Sequence, residues 1–380
     1  MEVSLSLLLP VILFALLTSV SKSMSVTPSS KTTATLGAPA LRTVATAAAQ
    51  HDESISLDVT GILWLEHINL VVGDTAQAEH FYLDFLGLTR DPDAKFHCNL
   101  GQQQFHLAAA NDDQPAQRVT GSIGLAVPSL ASIRARVTAA EQALVGTLFA
   151  VLEDDNSHMT VRCPWGNTIH LYAVEDDATL ADTTTPPNDD APPSQQKMVR
   201  LHAPGGAYAT HRMSVRGQPG IRYIEIACAE GSARQIAEFY RELLQCSTMQ
   251  LQQQQKNDRT VVTVTVGPGV HLLFVETAAP HHLDNNKTDD AMHGVHICIY
   301  TGPGFHALYN RLDQYGLIWT NPRFLHLDRC DTWEEARASR TLRFKDVIDV
   351  SSQAKVLELE HETRPMRHGQ FMKVPKYIAK

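Results

Sequence analysis

His80-Phe81-Tyr82-Leu83-Asp84-Phe85-Leu86-Gly87-Leu88 returns 158 residues later as Glu238-Phe239-Tyr240-Arg241-Glu242-Leu243-Leu244-Gln245-Cys246. In each copy the aromatic pair lies near the end of an amphipathic helical pattern. A strand-like run precedes each helix, LEHINLVV (65–72) and IRYIEIACA (221–229). Alternating polar and apolar stretches follow: FHCNLGQQQFHLAAA (96–110), and RTVVTVTVGPGVHLLFVET (259–277) with Gly-Pro-Gly as a hairpin turn. Working outward, each half holds a second, more divergent unit. One runs from SIGLAVPS (122–129) to PWGNTIHLYAV (164–174), the other from GVHICIYTG (294–302) to KVLELEHE (355–362). The order strand–helix–strand–strand–strand is thus predicted four times. Repeats of this size bury their apolar faces against one another, which predicts an α+β fold of four βαβββ units.

The 380 residues carry 43% apolar and 19% charged residues and a net charge of −9, enough for a packed core and against a broad basic surface for nucleic acid. No apolar run reaches about 18 residues, so no stable membrane span is expected in the mature chain. Leu7–Leu17, followed by Ser19, Ser21 and Ser23, has the pattern of a signal peptide over 1–23, although Glu2 stands where a basic residue is expected. Residues 24–54 are transit-like or disordered. The expectation is entry to the secretory pathway, with a secreted protein and one sent to a complex plastid as the two destinations. A Pro-, Asp- and Thr-rich linker over 176–218 separates expected domains at 55–175 and 219–365, with a tail at 366–380. None of the six cysteines forms a C-x-x-C pair, and several lie in apolar strand-like runs, so buried free thiols are expected.

The paired units, the F-Y-x-x-x-L-G helix end at Phe81–Gly87, the run His67–Val72 and the motif Pro164-Trp-Gly-Asn-Thr-Ile-His-Leu171 together resemble the vicinal oxygen chelate superfamily. That group contains glyoxalase I, bleomycin- and fosfomycin-resistance proteins and extradiol dioxygenases. The resemblance covers about 55–175 well and about 219–365 moderately, and implies two tandem glyoxalase-like domains. It speaks for the fold and leaves the reaction to the site.

Strand alternation selects the site candidates. His67 faces away from Ile68, Leu70 and Val72. His106 lies between Phe105 and Leu107, and His170 between Ile169 and Leu171. In the second half His271, His296 and Glu358 are flanked in the same way, and Tyr223 occupies the slot of His67. A single such histidine is more often a hydrogen-bonded structural residue than a ligand. What sharpens the reading is the recurrence of the same slot in separate units. Carried onto the superfamily's ligand positions, the first domain offers His67, His106, Ser122 and His170. The second offers Tyr223, His271, His296 and Glu358. The resemblance therefore implies a divalent metal ion (Fe, Zn or Ni), with Glu358 and Tyr223 as catalytic candidates. The implied function is a metal-dependent lyase, isomerase or dioxygenase acting on a small molecule with adjacent oxygens. The alternatives are a non-catalytic small-molecule-binding protein and a pseudo-enzyme.

Overall fold

Alternation in the first strand, β1 (Ile62–Val72), buries Ile68, Leu70 and Val72 and turns the opposite face into a concavity. Asp74 caps the helix that follows, accepting a hydrogen bond from the Gln77 amide, so helix α1 begins at Thr75–Ala78 and continues as a π-helical turn over Glu79–Phe85. Phe81 and Tyr82 are fully buried, as are Phe239 and Tyr240 in the matching helix. They are core anchors. The helix ends at Gly87 with φ +74°, and the equivalent Gln245 adopts φ 59°. The Gly–Gln difference between the two copies therefore does not change the left-handed exit.

The computed structural model describes residues 61–92, 96–112, 114–174, 219–246, 248–253, 259–267, 269–278, 292, 294–302 and 304–371. All of them lie in one compact unit, Asp52–Lys380. The expected signal and transit-like segments over 1–54, the expected linker over 176–218 and tail residues 372–380 are outside the described residues. No helix among the described residues is long and apolar enough to cross a membrane. All six cysteines are free and buried, as the sequence leads one to expect.

The first unit continues with β2 (Thr89–Arg90), β3 (His97–Leu100) and β4 (Gln103–Ala109). The second comprises β5 (Ser122–Val127), helices α2 (Leu130–Arg134) and α3 (Val137–Ala143), β6 (Ala150–Asp154), β7 (His158–Arg162) and β8 (Thr168–Ala173). The third is β9 (Gly220–Ala229), α4 (Ala233–Glu242), β10 (Thr248–Gln253), β11 (Arg259–Thr265) and β12 (His271–Thr277). The fourth has β13 (His296–Thr301), α5 (Phe305–Gln314), β14 (Leu342–Ile348) and β15 (Lys355–Pro365). It departs from the expected pattern. Where its second strand would stand, the chain instead makes a 3-10 turn, Pro322–Phe324, and a helix, α6 (Trp333–Ser339), started by a Thr332–Glu335 capping box.

The sheets do not follow the two halves of the sequence. The first sheet, in the order β14-β15-β13-β1-β4-β3-β2, joins the fourth unit to the first. The second, in the order β10-β11-β12-β9-β5-β8-β7-β6, joins the third to the second. In every unit the first and last strands pair in parallel, and units meet through antiparallel first strands, β1 with β13 and β5 with β9. Sequence neighbours meet through their helices instead. The Arg136 Nε donates to the Phe85 carbonyl, closing the first unit's helix from the second unit. Arg311 repeats the device on the Leu243 carbonyl between the fourth and third units. Phe149 of the second unit packs on Phe81 and Phe85, and Phe344 of the fourth packs on Phe239. Buried Gln103 links the sheets, its amide donating to the Leu65 carbonyl and accepting from the Ile221 amide. Each concavity is therefore lined by one unit from each side of the linker.

Candidate metal centre

The first sheet brings His67 from β1, His296 from β13 and Glu362 from β15 together. Their candidate ligand atoms lie within 4.8 Å of one another. His67 Nε2 is 3.9 Å and His296 Nε2 3.7 Å from Glu362 Oε2. All three side chains are buried. Atoms each bound at about 2.1 Å to one tetrahedral ion would stand about 3.4 Å apart, and the two imidazole–carboxylate separations of 3.9 and 3.7 Å come close to that spacing.

The protonation states suit the same role. Burial, followed by the field of Arg343, holds His296 well below the ordinary imidazole pKa. Burial by itself would raise the Glu362 carboxyl, but Arg364 and Arg343, with His67 and His296, pull it well below the usual carboxylate range. A neutral imidazole and an ionised carboxylate are the forms that bind a metal. His67 Nε2 is buried with no hydrogen-bond partner. A buried ring nitrogen without a partner, facing a carboxylate, is expected where an ion completes the set. Glu362 also serves two guanidiniums: its Oε2 accepts from Arg343 at 2.8 Å and its Oε1 pairs with Arg364. A carboxylate offers about four lone-pair sites, so this does not exhaust it. The residues fit a divalent cation.

Around the three candidates lies a buried ionic frame. Glu66 stands beside His67 on a bulge of β1, between the register positions Leu65–Ile299 and His67–Cys298. The bulge breaks strict alternation and lets both neighbours reach the same cluster. Glu66 Oε2 lies 3.2 Å from His67 Nδ1 and accepts from Arg364 at 2.7 Å, while its Oε1 accepts from the Tyr300 hydroxyl. Arg343 in turn binds Asp328, Glu360 and Glu362. Asn321 donates to both Glu360 oxygens. Burial raises the Glu360 and Asp328 carboxyls despite the Arg343 charge. Phe324, from the 3-10 turn that replaces a strand, packs edge-on to His296 and under the Arg343 guanidinium.

The remaining sequence candidates are redistributed. His106 is in the same concavity, but its ring is stacked between His67 and His97 at 3.5 Å from each, and its Nε2 bonds to Gln104 Oε1. It buttresses His67. Burial, then the charge of His67, holds its pKa well down. Glu358 does not reach the cluster: it pairs with Lys355 and Lys345. It shares a strand face with Glu360 and Glu362, but β13 places His296 beside Glu360, so Glu358 falls short of the centre. Ser122, His170, Tyr223 and His271 meet in the second concavity, away from His296. There the Tyr223 ring lies over Gly124, where a Cβ would come within 2.1 Å of it. His170 Nδ1 bonds to the Thr160 hydroxyl. Burial, opposed by the Tyr172 and Ser122 hydroxyls, pushes the Tyr223 phenol up to about 12. The expected pairing of Tyr223 and His271 with His296 is thus replaced by a separate, carboxylate-free set.

Sequence reasoning missed Glu362, Glu360, Glu66, Arg343 and Arg364. A signal for three of them was present: Glu358, Glu360, Glu362 and Arg364 all fall on one face of an otherwise apolar strand. The bulge hid Glu66.

No family model matches the chain, and no curated protein matches it. Among solved structures it is similar to glyoxalase I from Zea mays, with 12% identity over 79% of this chain and 92% of that one and a TM-score of 0.43. It is also similar to the 2,3-dioxygenase LapB from Pseudomonas sp. KL28, with 14% identity over 80% of this chain and 93% of that one and a TM-score of 0.24. The placement rests on the chain's own topology. With first and last strands parallel in every unit and units joined through their first strands, it has the fold of the vicinal oxygen chelate superfamily.

Proposed function

We propose that the protein is a metal-dependent enzyme of the vicinal oxygen chelate type, with His67, His296 and Glu362 holding one divalent ion. The observation that supports this is the convergence of two histidines and one carboxylate from the first strands of two units and the last strand of one. Two imidazoles and a carboxylate on one side of an ion leave positions open opposite them. Among Fe, Zn and Ni this set favours Fe(II) and a dioxygenase reading over the lyase or isomerase. When bound, such an ion polarises adjacent oxygens of a substrate and supports oxygen chemistry.

The chain's own residues prepare the centre. Glu66 Oε2, 3.2 Å from His67 Nδ1, is placed to accept a proton from that nitrogen, the tautomer in which Nε2 would be free to bind the ion. Arg343 and Arg364 hold the Glu362 carboxylate in one orientation. On the fourth unit's side, Phe324 packs edge-on against His296 and Asn321 donates to both Glu360 oxygens. The substrate is a small molecule with two adjacent oxygens. No membrane or nucleic-acid partner enters this reading, and the N-terminal 1–54 is proposed to route the protein into the secretory pathway.

Metal analysis of the purified full chain, reloaded separately with Fe(II), Zn(II) and Ni(II), tests it. One ion per chain is expected, and none in His296→Ala. A folded wild-type chain that takes up no ion would overturn the enzyme reading in favour of a binding protein. Oxygen uptake with a catechol panel, set against isomerisation of a glutathione hemithioacetal, then separates oxygenase from isomerase.

A further inference from the structure

His67 presents its two ring nitrogens to two different sets of partners. Nε2 faces Glu362 and, with His296, forms the centre already described. Nδ1 faces Glu66 and Cys298, and the ligand atoms of these three also lie within 4.8 Å of one another. Strand pairing explains the second set. Cys298 stands two residues after His296 on the same face of β13, directly opposite His67 in the antiparallel register, and the bulge in β1 turns Glu66 to that side. Among the described residues, no other cysteine is grouped with a histidine and a carboxylate in this way.

The spacings suit an ion. Glu66 Oε2 is 3.2 Å from His67 Nδ1 and 3.5 Å from Cys298 Sγ. On one tetrahedral zinc ion, a carboxylate oxygen stands about 3.4 Å from a ligating nitrogen and about 3.6 Å from a ligating sulfur. Cys298 and His67 are fully buried, and Glu66, with 15% of its side chain exposed, is the outermost of the three. Its Oε2 also accepts from Arg364 and its Oε1 from the Tyr300 hydroxyl, so the carboxylate is held in place. Arg364 is shared with Glu362, and a thiolate would add a negative charge to offset that of the ion. Sulfur also changes the preference. A thiolate selects thiophilic cations over the ions that suit two imidazoles and a carboxylate.

We propose that Glu66, His67 and Cys298 form a second cation site, selective for thiophilic ions, that competes with the first for His67. A neutral imidazole has one lone pair, on the nitrogen that lacks the proton. An ion at the second site takes Nδ1 and leaves the proton on Nε2, where His67 no longer serves the first site. Binding forms a metal–sulfur bond and breaks the S–H bond. The proton leaves through Glu66, which accepts that S–H and is partly exposed. A thiophilic ion therefore disables the first centre without occupying it. The site stands on its own geometry, whether or not the first is filled.

Cadmium titrated onto the metal-free full chain tests this, read by the ultraviolet charge-transfer absorption of a cadmium–thiolate bond. Wild-type protein should give that absorption, saturating at one ion per chain. Cys298→Ser should lose it, and His296→Ala should keep it. Cys98→Ser, in the same sheet but outside the group, should keep it too. Cadmium added to the nickel-loaded chain should release nickel one for one as the absorption grows. In Cys298→Ser the same release should need about tenfold or more cadmium, as expected when a metal site is impaired. Circular dichroism checks that the variants fold, and Cys298→Ala stands in if the serine variant does not. Absorption that is missing from wild-type protein, persists in Cys298→Ser or disappears in His296→Ala would overturn the site. Absorption that grows while nickel stays bound would overturn the competition for His67. A chain that shows the Cys298-dependent absorption but takes up no nickel, iron or zinc would overturn the metal-enzyme reading and leave the thiophilic site standing.

Discussion

The two sheets are built to one plan and have opposite interiors. In the first, two histidines, a carboxylate and two arginines meet in a buried ionic frame. In the second, the equivalent strands contribute Ser122, His170, Tyr223 and His271, and a tyrosine ring lies over a glycine. Tyr223 sits in the first strand of its unit, as His67 does in its own. A metal-binding concavity needs groups that shed protons and a counter-ion frame to hold them ionised. In the second concavity His170 bonds to the Thr160 hydroxyl, which itself donates to Glu153, and no group of metal-ligand side chains converges there among the described residues. Duplication copied the scaffold without copying the chemistry.

The largest expected effect would break this comparison outright. His296→Ala or Glu362→Gln should weaken divalent-metal binding by more than about a hundredfold, beyond the range for loss of an outer-shell partner. His170→Ala and His271→Ala should leave metal content at the wild-type level. Metal analysis of the four variants checks this, and metal loss in a second-sheet variant would erase the distinction.

Next comes stability. Arg343→Met strands Asp328, Glu360 and Glu362 without their shared guanidinium and should destabilise the fold by about 3–5 kcal/mol, as breaking a buried ionic cluster does. Tyr223→Phe removes one buried hydroxyl and should cost about 1 kcal/mol. Urea unfolding of both measures the contrast, and equal losses would show that the first interior is no more ionic than the second.

A smaller effect separates ligand from positioning residue. Glu66→Ala should weaken metal binding by about ten- to a hundredfold through loss of the His67 Nδ1 partner. Glu66→Gln, whose amide oxygen still accepts that proton, should recover much of it. An unchanged affinity in Glu66→Ala would mean that the bulge contact does not orient His67.

The smallest effect concerns pH. Burial, and then the charge of His67, pushes His97 down to about 4 from 6.5. Its contribution is fully present above pH 6.5 and lost as pH falls through 4, because unfolding releases an imidazole that takes up a proton. Tyr223, pushed up to about 12, contributes below pH 10 and loses that contribution as pH rises through 12. The acid limb should therefore flatten in His97→Gln and the alkaline limb in Tyr223→Phe, read from urea midpoints across pH. The reverse assignment would contradict the two-interior picture.

Much of the fold was legible in the chain itself. The Phe-Tyr helix ends announce the repeat, and both pairs are fully buried. Alternation in LEHINLVV and GVHICIYTG placed His67 and His296 on inner faces, because a strand's period of two holds whatever the strand pairs with. The same rule could not choose among Glu358, Glu360 and Glu362, which share a face. Only the strand pairing does so: it sets Glu360 beside His296 and, through Cys298, Glu362 level with His67, with Glu358 beyond both. Nor could it find Glu66, since a bulge is the local suspension of that period.

The sequence by itself determined the units, their inward faces and the residue types available for chemistry, all of which are local properties of side-chain periodicity. Which units share a concavity was decided by tertiary structure. Short-range packing joins sequence neighbours through helices, through Arg136 and Arg311, while the exposed first-strand edges pair across the linker. Edge pairing acts through backbone groups that every strand offers alike. The side-chain pattern therefore carries no label for the partner, and His67 meets His296 and Glu362 only once the chain has folded.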